Sequence, residues 1–195
     1  MTFRRLFSTA RRLFGTALIT AALSAVAVST ASSRNWKATP DAIARDYATI
    51  NDARAGGELV LLMWFVPGMV RSDMSGAASL AATLQKYVVV MVVHGRLDKT
   101  SGTFSFDDID TLEARNQTGK PLKLLARSDM PPAPTAVLTA VEAMFRQSLG
   151  AMGKGAKMFV FDAADVDSCK KGGMSIPFAG ETYTWDTPFP SCPQQ

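Results

Sequence analysis

Two short apolar runs constrain the fold of this chain more than any other feature of its sequence. Glu58–Val66 is almost continuously apolar and lies between Gly56-Gly57 and Pro67-Gly68. The second run, Tyr87–His94, has β-branched residues at five positions. Both runs are too short to cross a membrane, and bounded runs of this length are typical of strands buried on both faces. The sequence therefore predicts a sheet with Tyr87–His94 at its centre.

Three segments favour helices. Thr39 and Pro40 supply an N-cap and a first turn, and an apolar spacing continues from Ile43 through Tyr47 to Ile50. Residues 75–86 are rich in Ala and Leu, and an apolar stripe runs through residues 137–149 before Gly150. These patterns predict two to three helices between the strands.

The remaining patterns are mostly β. Residues 110–126 carry a hairpin signature, with strands at 111–115 and 122–125 around a polar turn. Lys157–Asp162 is a further strand candidate, and two short segments, 174–178 and 182–185, are candidate edge strands. Pro177 has no amide hydrogen to donate, which confines its strand to an edge.

The order of these elements predicts the fold class. We expect an α+β fold in which an antiparallel sheet, or a β-sandwich of two sheets, carries two to three helices. The order strand, helix, strand over residues 58–93 leaves an α/β sandwich with a βαβ start as the alternative.

The first 27 residues have the order of an export signal. Four arginines precede an apolar run from Leu13 to Val28, and small residues follow. Two Arg-Arg-Leu-Phe repeats resemble the twin-arginine signal, although paired arginines are also ordinary in Sec signals. We expect residues 1–27 to be cleaved and residues 28–195 to form one globular domain in the periplasm or outside the cell. The chain would contact a membrane only through the signal before cleavage.

Removal of the leader changes the charge of the protein. The chain has 21 Lys and Arg against 17 Asp and Glu, and residues 1–27 hold four of the arginines and no acid. The remaining 168 residues therefore carry 17 charges of each sign. A net charge near zero, with no basic cluster, predicts that nucleic acid is not a partner.

Cys169 and Cys192 are the only two cysteines. In an exported chain they predict a disulfide, since two thiols are too few for a metal site and no CxxC motif is present. The loop-closure model assigns such a bridge a stabilisation of about 3 kcal/mol.

His94 is the only histidine and the first candidate for chemistry. It ends the central strand, where Asp98, Asp107 or Asp108 could orient its imidazole as a general base. No GxSxG motif and no second histidine accompanies it, so a hydrogen-bonded structural role is the competing interpretation.

Other polar patterns favour structure over chemistry. The glycines at positions 150, 153 and 155 lack the spacing and the helix that a phosphate-binding loop requires, which favours a helix stop and turn. Two acidic clusters do not match a calcium-binding loop, and they are typical of solvated turns and helix caps. These clusters are Asp107-Asp108-Asp110 and Asp162-Asp165-Asp167. We expect no metal and no cofactor.

The C-terminal segment mixes aromatic residues with prolines. We expect Tyr183, Trp185 and Phe189 to form an exposed surface that recognises an unknown protein or small-molecule ligand, although a structural tail pinned by the disulfide is the alternative. The sequence therefore favours an exported binding or assembly module without catalysis. A periplasmic hydrolase that uses His94 with a nearby carboxylate is the second hypothesis.

Overall fold

The computed structural model describes residues 36–52, 54–148, 150, 152–163 and 165–193. The predicted leader, residues 1–27, lies outside the described residues. The described helices are α1 (Pro40–Tyr47), α2 (Ala77–Lys86) and α3 (Pro132–Ser148). The described strands are β1 (Ala48–Asn51), β2 (Glu58–Phe65), β3 (Tyr87–Leu97), β4 (Phe104–Phe106), β5 (Arg115–Asn116), β6 (Lys157–Asp162), β7 (Gly172–Phe178) and β8 (Glu181–Thr187).

The first sheet has β3 at its centre, as the sequence predicts. β2 pairs with one edge of β3, and β1 extends the sheet beyond β2. β6 and β4 share the other edge of β3, with Val90 opposite Phe159 in β6 and Gly95 opposite Phe106 in β4. Val89, Val90 and Val92 are completely buried because β3 has neighbours on both edges and packing on both faces.

The βαβ alternative is wrong, because β2 and β3 are antiparallel neighbours. Phe65, at the end of β2, pairs with Val89, near the start of β3. The segment between β2 and β3 therefore begins and ends at the same end of the sheet. A ten-residue helix rises about 15 Å, which is shorter than the roughly 26 Å of an eight-residue strand. The helix α2 accordingly serves as a return loop rather than a crossover.

The second sheet has the order β5-β7-β8. β7 and β8 form a hairpin whose two-residue turn, Ala179-Gly180, has φ angles of 49° and 80°. Two left-handed residues match the twist of a tight hairpin, and glycine adopts this conformation readily. Pro177 pairs with Thr182 of β8, whereas β5 reaches only Met174 and Ser175 of β7. The proline thus lies where β7 is an edge, as its missing amide hydrogen requires.

Opposite faces of the first sheet pack against different layers. The ring of Phe65 meets Phe145 of α3 at a centroid distance of 4.9 Å. Trp64, whose side chain points to the other face, meets Trp185 of the second sheet at 6.4 Å. The protein therefore has an α+β fold, with α3 on one face of an antiparallel sheet and a smaller antiparallel sheet on the other. Tyr47 of α1 contacts Phe189 in the layer of the smaller sheet.

The helix predicted from Thr39 through Ile50 is too long. α1 ends at Tyr47, and the next four residues form β1, with Ile50 opposite Leu61 of β2. Ile50, which continues the apolar spacing past the helix end, is 54% exposed, so strand pairing and not burial accounts for its position in β1. The edge of β2 offers backbone hydrogen bonds to a further strand. The β-branched residues Thr49 and Ile50 favour the extended conformation that this pairing requires.

The hairpin predicted over residues 110–126 is correct at its turn and at the pairs beside it, where Leu122 donates its amide hydrogen to Ala114 and Arg115 lies opposite Pro121. Farther from the turn the arms separate. The Asn116 side-chain oxygen accepts hydrogen bonds from the amides of Thr118 and Lys120, which fixes the turn. The arm before the turn is regular only at β5, which pairs with β7. The arm after the turn follows β6, since Leu125 donates its amide hydrogen to the carbonyl of Val160. The two arms diverge because each forms backbone hydrogen bonds with a strand of a different sheet, the first arm with β7 and the second with β6.

Cys169 and Cys192 form a disulfide with a Cα–Cα distance of 5.3 Å, which confirms that prediction. Cys169 precedes β7 and Cys192 follows β8, so the bridge closes a covalent loop around the whole β7–β8 hairpin.

Candidate functional site

His94 lies between two carboxylates. Its Nε2 is 2.8 Å from Oε1 of Glu58, and its Nδ1 is 3.3 Å from Oδ2 of Asp107. Glu58 reaches the ring because it pairs with Arg96, two residues beyond His94 on the same face of the sheet. Asp107 follows β4 and donates its backbone amide hydrogen to the carbonyl of His94. The strand register therefore places an acid at each ring nitrogen.

Arg54 extends this group of side chains towards the second sheet. Its Nε is 2.8 Å from Oε2 of Glu58, and its Nη2 donates a hydrogen bond of 2.5 Å to the carbonyl of Ala179 in the β7–β8 turn. Glu181, just after the turn, lies 3.2 Å from Nη1 and also accepts a hydrogen bond from Asn51. The contact between Nη1 of Arg54 and Glu181 is an ion pair without hydrogen-bond geometry. Nη1 therefore has an opposite charge nearby but no hydrogen-bond acceptor among the described residues.

We call Arg54, Glu58, His94, Asp107 and Glu181 the inter-sheet cluster. Four of them come from β2, β3 or the segments beside the first sheet, and Glu181 comes from β8. The ring of Phe178 in β7 also contacts His94 edge-on, at a centroid distance of 5.3 Å. The cluster therefore joins the two sheets at the end where the β7–β8 turn lies.

The charges in the cluster stabilise one another. The hydrogen bond from His94, followed by that from Arg54, lowers the pKa of the Glu58 carboxyl. The hydrogen bond to Glu58 raises the pKa of Arg54, which stays protonated. Beside them, burial raises the pKa of the Tyr183 hydroxyl, which lacks a hydrogen bond of good geometry among the described residues. Hydrogen bonds from His94 and Arg54 thus favour the anionic form of Glu58.

Of the three aspartates predicted to orient His94, only Asp107 contacts it. Asp98 accepts backbone hydrogen bonds from Thr100 and Ser101 in the loop after β3. Asp108 forms an ion pair with Lys157 of β6. Sequence reasoning missed Glu58, whose contact depends on the register of β2 against β3.

The acidic clusters serve as turn and ion-pair residues. Asp165 lies 2.7 Å from Nζ of Lys120, and Asp167 accepts a hydrogen bond from the amide of Cys169. Within the described ranges, no group of three or more His, Cys, Asp or Glu side chains could hold a metal ion.

The glycine-rich loop after α3 is a helix stop and turn, as the sequence predicts. Gly150 has a φ angle of 57° just after the helix, a conformation that favours glycine. A Cβ on Gly153 would come within 1.8 Å of the carbonyl oxygen of Arg146, so the loop closes against the helix itself.

The exposure predicted for the C-terminal aromatic residues is wrong. Tyr183, Trp185 and Phe189 are 4%, 5% and 6% exposed. Tyr183 and Trp185 alternate along β8 with exposed residues, so they lie on the face that packs against the first sheet. Phe189 contacts Tyr47 and Trp64. Binding by these three side chains stays a prediction, and it requires the C-terminal segment to open first.

A large cavity lies at the opposite end of β3 from His94. It has a volume of about 920 Å³ and lies between α2, the start of β3 and the segment around Cys169. Val88 lines it, whereas His94 comes six residues later in the same strand, which corresponds to about 20 Å. The histidine and this cavity therefore do not form one site.

A smaller groove lies between α2 and α3. It has a volume of about 360 Å³, and the described residues that line it are uncharged, among them Met74, Leu80, Val141 and Met144. Among the described residues, no helix combines the length and apolarity that a membrane span requires.

Comparisons of this chain with protein families, with curated proteins and with solved structures find no match. The function must therefore be argued from the geometry of the chain itself.

Proposed function

We propose that this chain is an exported binding module that acts without catalysis. The leader pattern of residues 1–27 and the bridge between Cys169 and Cys192 support export, because disulfides persist in oxidising compartments. The near-zero charge of residues 28–195 favours a protein or small molecule, and not nucleic acid, as the partner.

The contacts of His94 carry the non-catalytic part of this proposal. Both ring nitrogens face carboxylates of the protein itself, and the side chain is only 18% exposed. In the part of the chain that the structure describes, its polar side-chain partners are Glu58 and Asp107, and they include no hydroxyl or thiol that could act as a nucleophile. The imidazole instead helps to hold the β7–β8 turn against the first sheet.

The large cavity supports a binding role. Its volume of about 920 Å³ lies within the usual range for sites that hold small ligands. One wall contains Cys169, so the disulfide holds that wall in place before any ligand arrives. A preformed cavity loses less conformational entropy on binding than a flexible one.

One observation favours a hydrolase as the second candidate. An imidazole with a carboxylate at Nδ1 has the arrangement of a general base and its orienting acid. In this alternative, Asp107 orients His94, and Nε2 must first separate from Glu58 to accept a proton from water.

The variant His94→Gln separates the two candidates. Glutamine retains a polar group that can bond to Glu58, so we expect a folded protein with a modest loss of stability. Hydrolysis of a panel of activated ester and peptide substrates should be equally low in both proteins. Asp107→Asn is the matched control, because it removes the orienting charge and leaves the imidazole. Loss of a measurable hydrolysis in His94→Gln, with unchanged circular dichroism, would overturn the binding-module proposal.

A further inference from the structure

The cavity beside the disulfide is lined by both apolar and polar residues. Pro67 follows β2 and Ala81 lies in α2, and both are partly exposed. Residues 165–173, which precede and begin β7, also line the cavity. A ligand in this cavity would therefore meet both apolar carbon and hydrogen-bonding groups.

Three polar side chains from different segments of the lining have no partner among the described residues. Gln85 comes from α2, Gln117 from the turn after β5, and Lys171 from the residue before β7. In the described part of the chain, none of the three forms a hydrogen bond or an ion pair. Each glutamine amide can both donate and accept, whereas the Lys171 ammonium can only donate.

The ion pairs of the cavity leave Lys171 as an uncompensated cation. Lys170 lies 3.0 Å from Asp167, and Lys120 lies 2.7 Å from Asp165. The two acids in the lining are thereby neutralised by other lysines. Lys171 is exposed at the cavity, so it favours a ligand with a negative group.

The donor set favours a carboxylate and amide groups. A single lysine is a point charge, and the described lining residues include no arginine whose planar fork would match a phosphate in two hydrogen bonds. The aromatic residues of the lining, Trp64 and Tyr87, are 2% and 7% exposed, so they offer no open ring on which a sugar could stack. Two glutamine amides match the alternating donors and acceptors of a peptide backbone.

We infer that this cavity binds the C-terminal end of a short peptide, with the terminal carboxylate at Lys171 and backbone amides at Gln85 and Gln117. The inference rests on the proposed binding function and adds to it the site and the class of ligand. The peptide's side chains would lie beside Pro67 and Ala81, which are partly exposed apolar residues of the lining.

The test compares N-acetyl-trialanine carrying a free carboxylate with the same peptide carrying a C-terminal amide. Isothermal titration calorimetry and amide chemical shifts measure binding to the full oxidised domain. We expect the acid to bind about 5- to 10-fold more tightly than the amide, because only the acid carries a negative charge for the Lys171 ammonium, and water at this exposed side chain screens part of the attraction. Lys171→Gln should abolish this preference by weakening the acid alone.

Two matched controls accompany these measurements. Lys99→Gln removes an exposed lysine that does not line the cavity, and it should leave the preference for the acid intact. Ala81→Trp fills the cavity from α2 and should prevent binding of both peptides, whereas Ala82→Trp, an exposed neighbour outside the lining, should not.

Equal affinity for the two peptides, an unchanged preference in Lys171→Gln, or no binding of either peptide would each overturn the inference. None of these results bears on catalysis by His94, which the His94→Gln comparison measures separately. Failure of the peptide inference is therefore distinguishable from failure of the proposed function.

Discussion

The indole Nε1 of Trp185 donates a hydrogen bond of 3.1 Å to the backbone carbonyl of Tyr47, which lies 138 positions earlier in the chain. Tyr47 is the last residue of α1, and carbonyls in the last turn of a helix lack a partner within the helix. The second sheet thus satisfies a polar group that the helix leaves open. This bond also fixes β8 at the point where α1 gives way to β1.

The first prediction concerns Trp185. Trp185→Ala should reduce the free energy of unfolding by about 3–5 kcal/mol, since it removes a buried aromatic side chain and its hydrogen bond. Trp185→Phe should cost less, because it retains most of the apolar packing. Urea denaturation followed by circular dichroism measures both. Thr184→Ala, an exposed neighbour on β8, is the control and should change stability little. An unchanged urea midpoint in Trp185→Ala would contradict the assignment of this residue to the core.

The second prediction concerns the disulfide. Thiol titration of the denatured, exported protein should detect no free sulfhydryl before reduction. The double variant Cys169→Ser with Cys192→Ser should lose about 3 kcal/mol of stability, because the unfolded chain gains the freedom that the bridge removes. Reduced wild-type protein is the control and should show the same loss. Two reactive thiols in unreduced protein would rule out the bridge.

The third prediction concerns the pH dependence of the inter-sheet cluster. The folded state lowers the pKa of Glu58 below its ordinary value of 4.5, chiefly through His94 and then Arg54. Folding therefore favours the ionised form, and this contribution is present above pH 4.5 and is lost as the pH falls through the lower, folded pKa. Glu58→Gln removes the titration. We expect the stability difference between wild type and Glu58→Gln to narrow as the pH is lowered below 4.5.

Urea titrations at a series of pH values measure that difference. Glu113→Gln is a suitable control, because Glu113 is an exposed residue outside the cluster, paired with Arg115. If the stability difference between wild type and Glu58→Gln stays constant down to pH 3, ionised Glu58 does not stabilise the fold.

The fourth prediction concerns the leader. The exported protein should begin at Val28 or Ser32, after removal of the charged and apolar N-terminal residues. Intact-mass measurement of protein from the periplasm identifies the cleavage site. Full-length protein that retains Met1 in a membrane fraction would show that the leader is an anchor.

The sequence predicts those parts of the fold that depend on local pattern. The runs at Glu58–Val66 and Tyr87–His94 identify buried strands, because a strand covered on both faces is apolar at almost every position. The glycine after α3 and the proline in β7 likewise act through their own backbone constraints. These signals require no knowledge of distant contacts.

The remaining features depend on pairing between distant segments. The apolar spacing through Ile50 predicts a longer helix, whereas pairing with the free edge of β2 places Ile50 in a strand and leaves its side chain exposed. Trp185 and Phe189 are interpreted as exposed because the sequence shows prolines nearby but not the sheet that covers them. Likewise, the contact between Glu58 and His94 follows from the register of two strands, which the composition of either strand leaves open.

The covalent loop between Cys169 and Cys192 has a consequence for proteolysis. The β7–β8 turn contains Gly180, which is exposed, and such turn tips are preferred sites of cleavage. A single cut between Ala179 and Gly180 would separate the backbone into two pieces that the bridge still holds together. The nicked protein should therefore migrate as one band on a gel without reductant and release a short C-terminal fragment once the bridge is reduced.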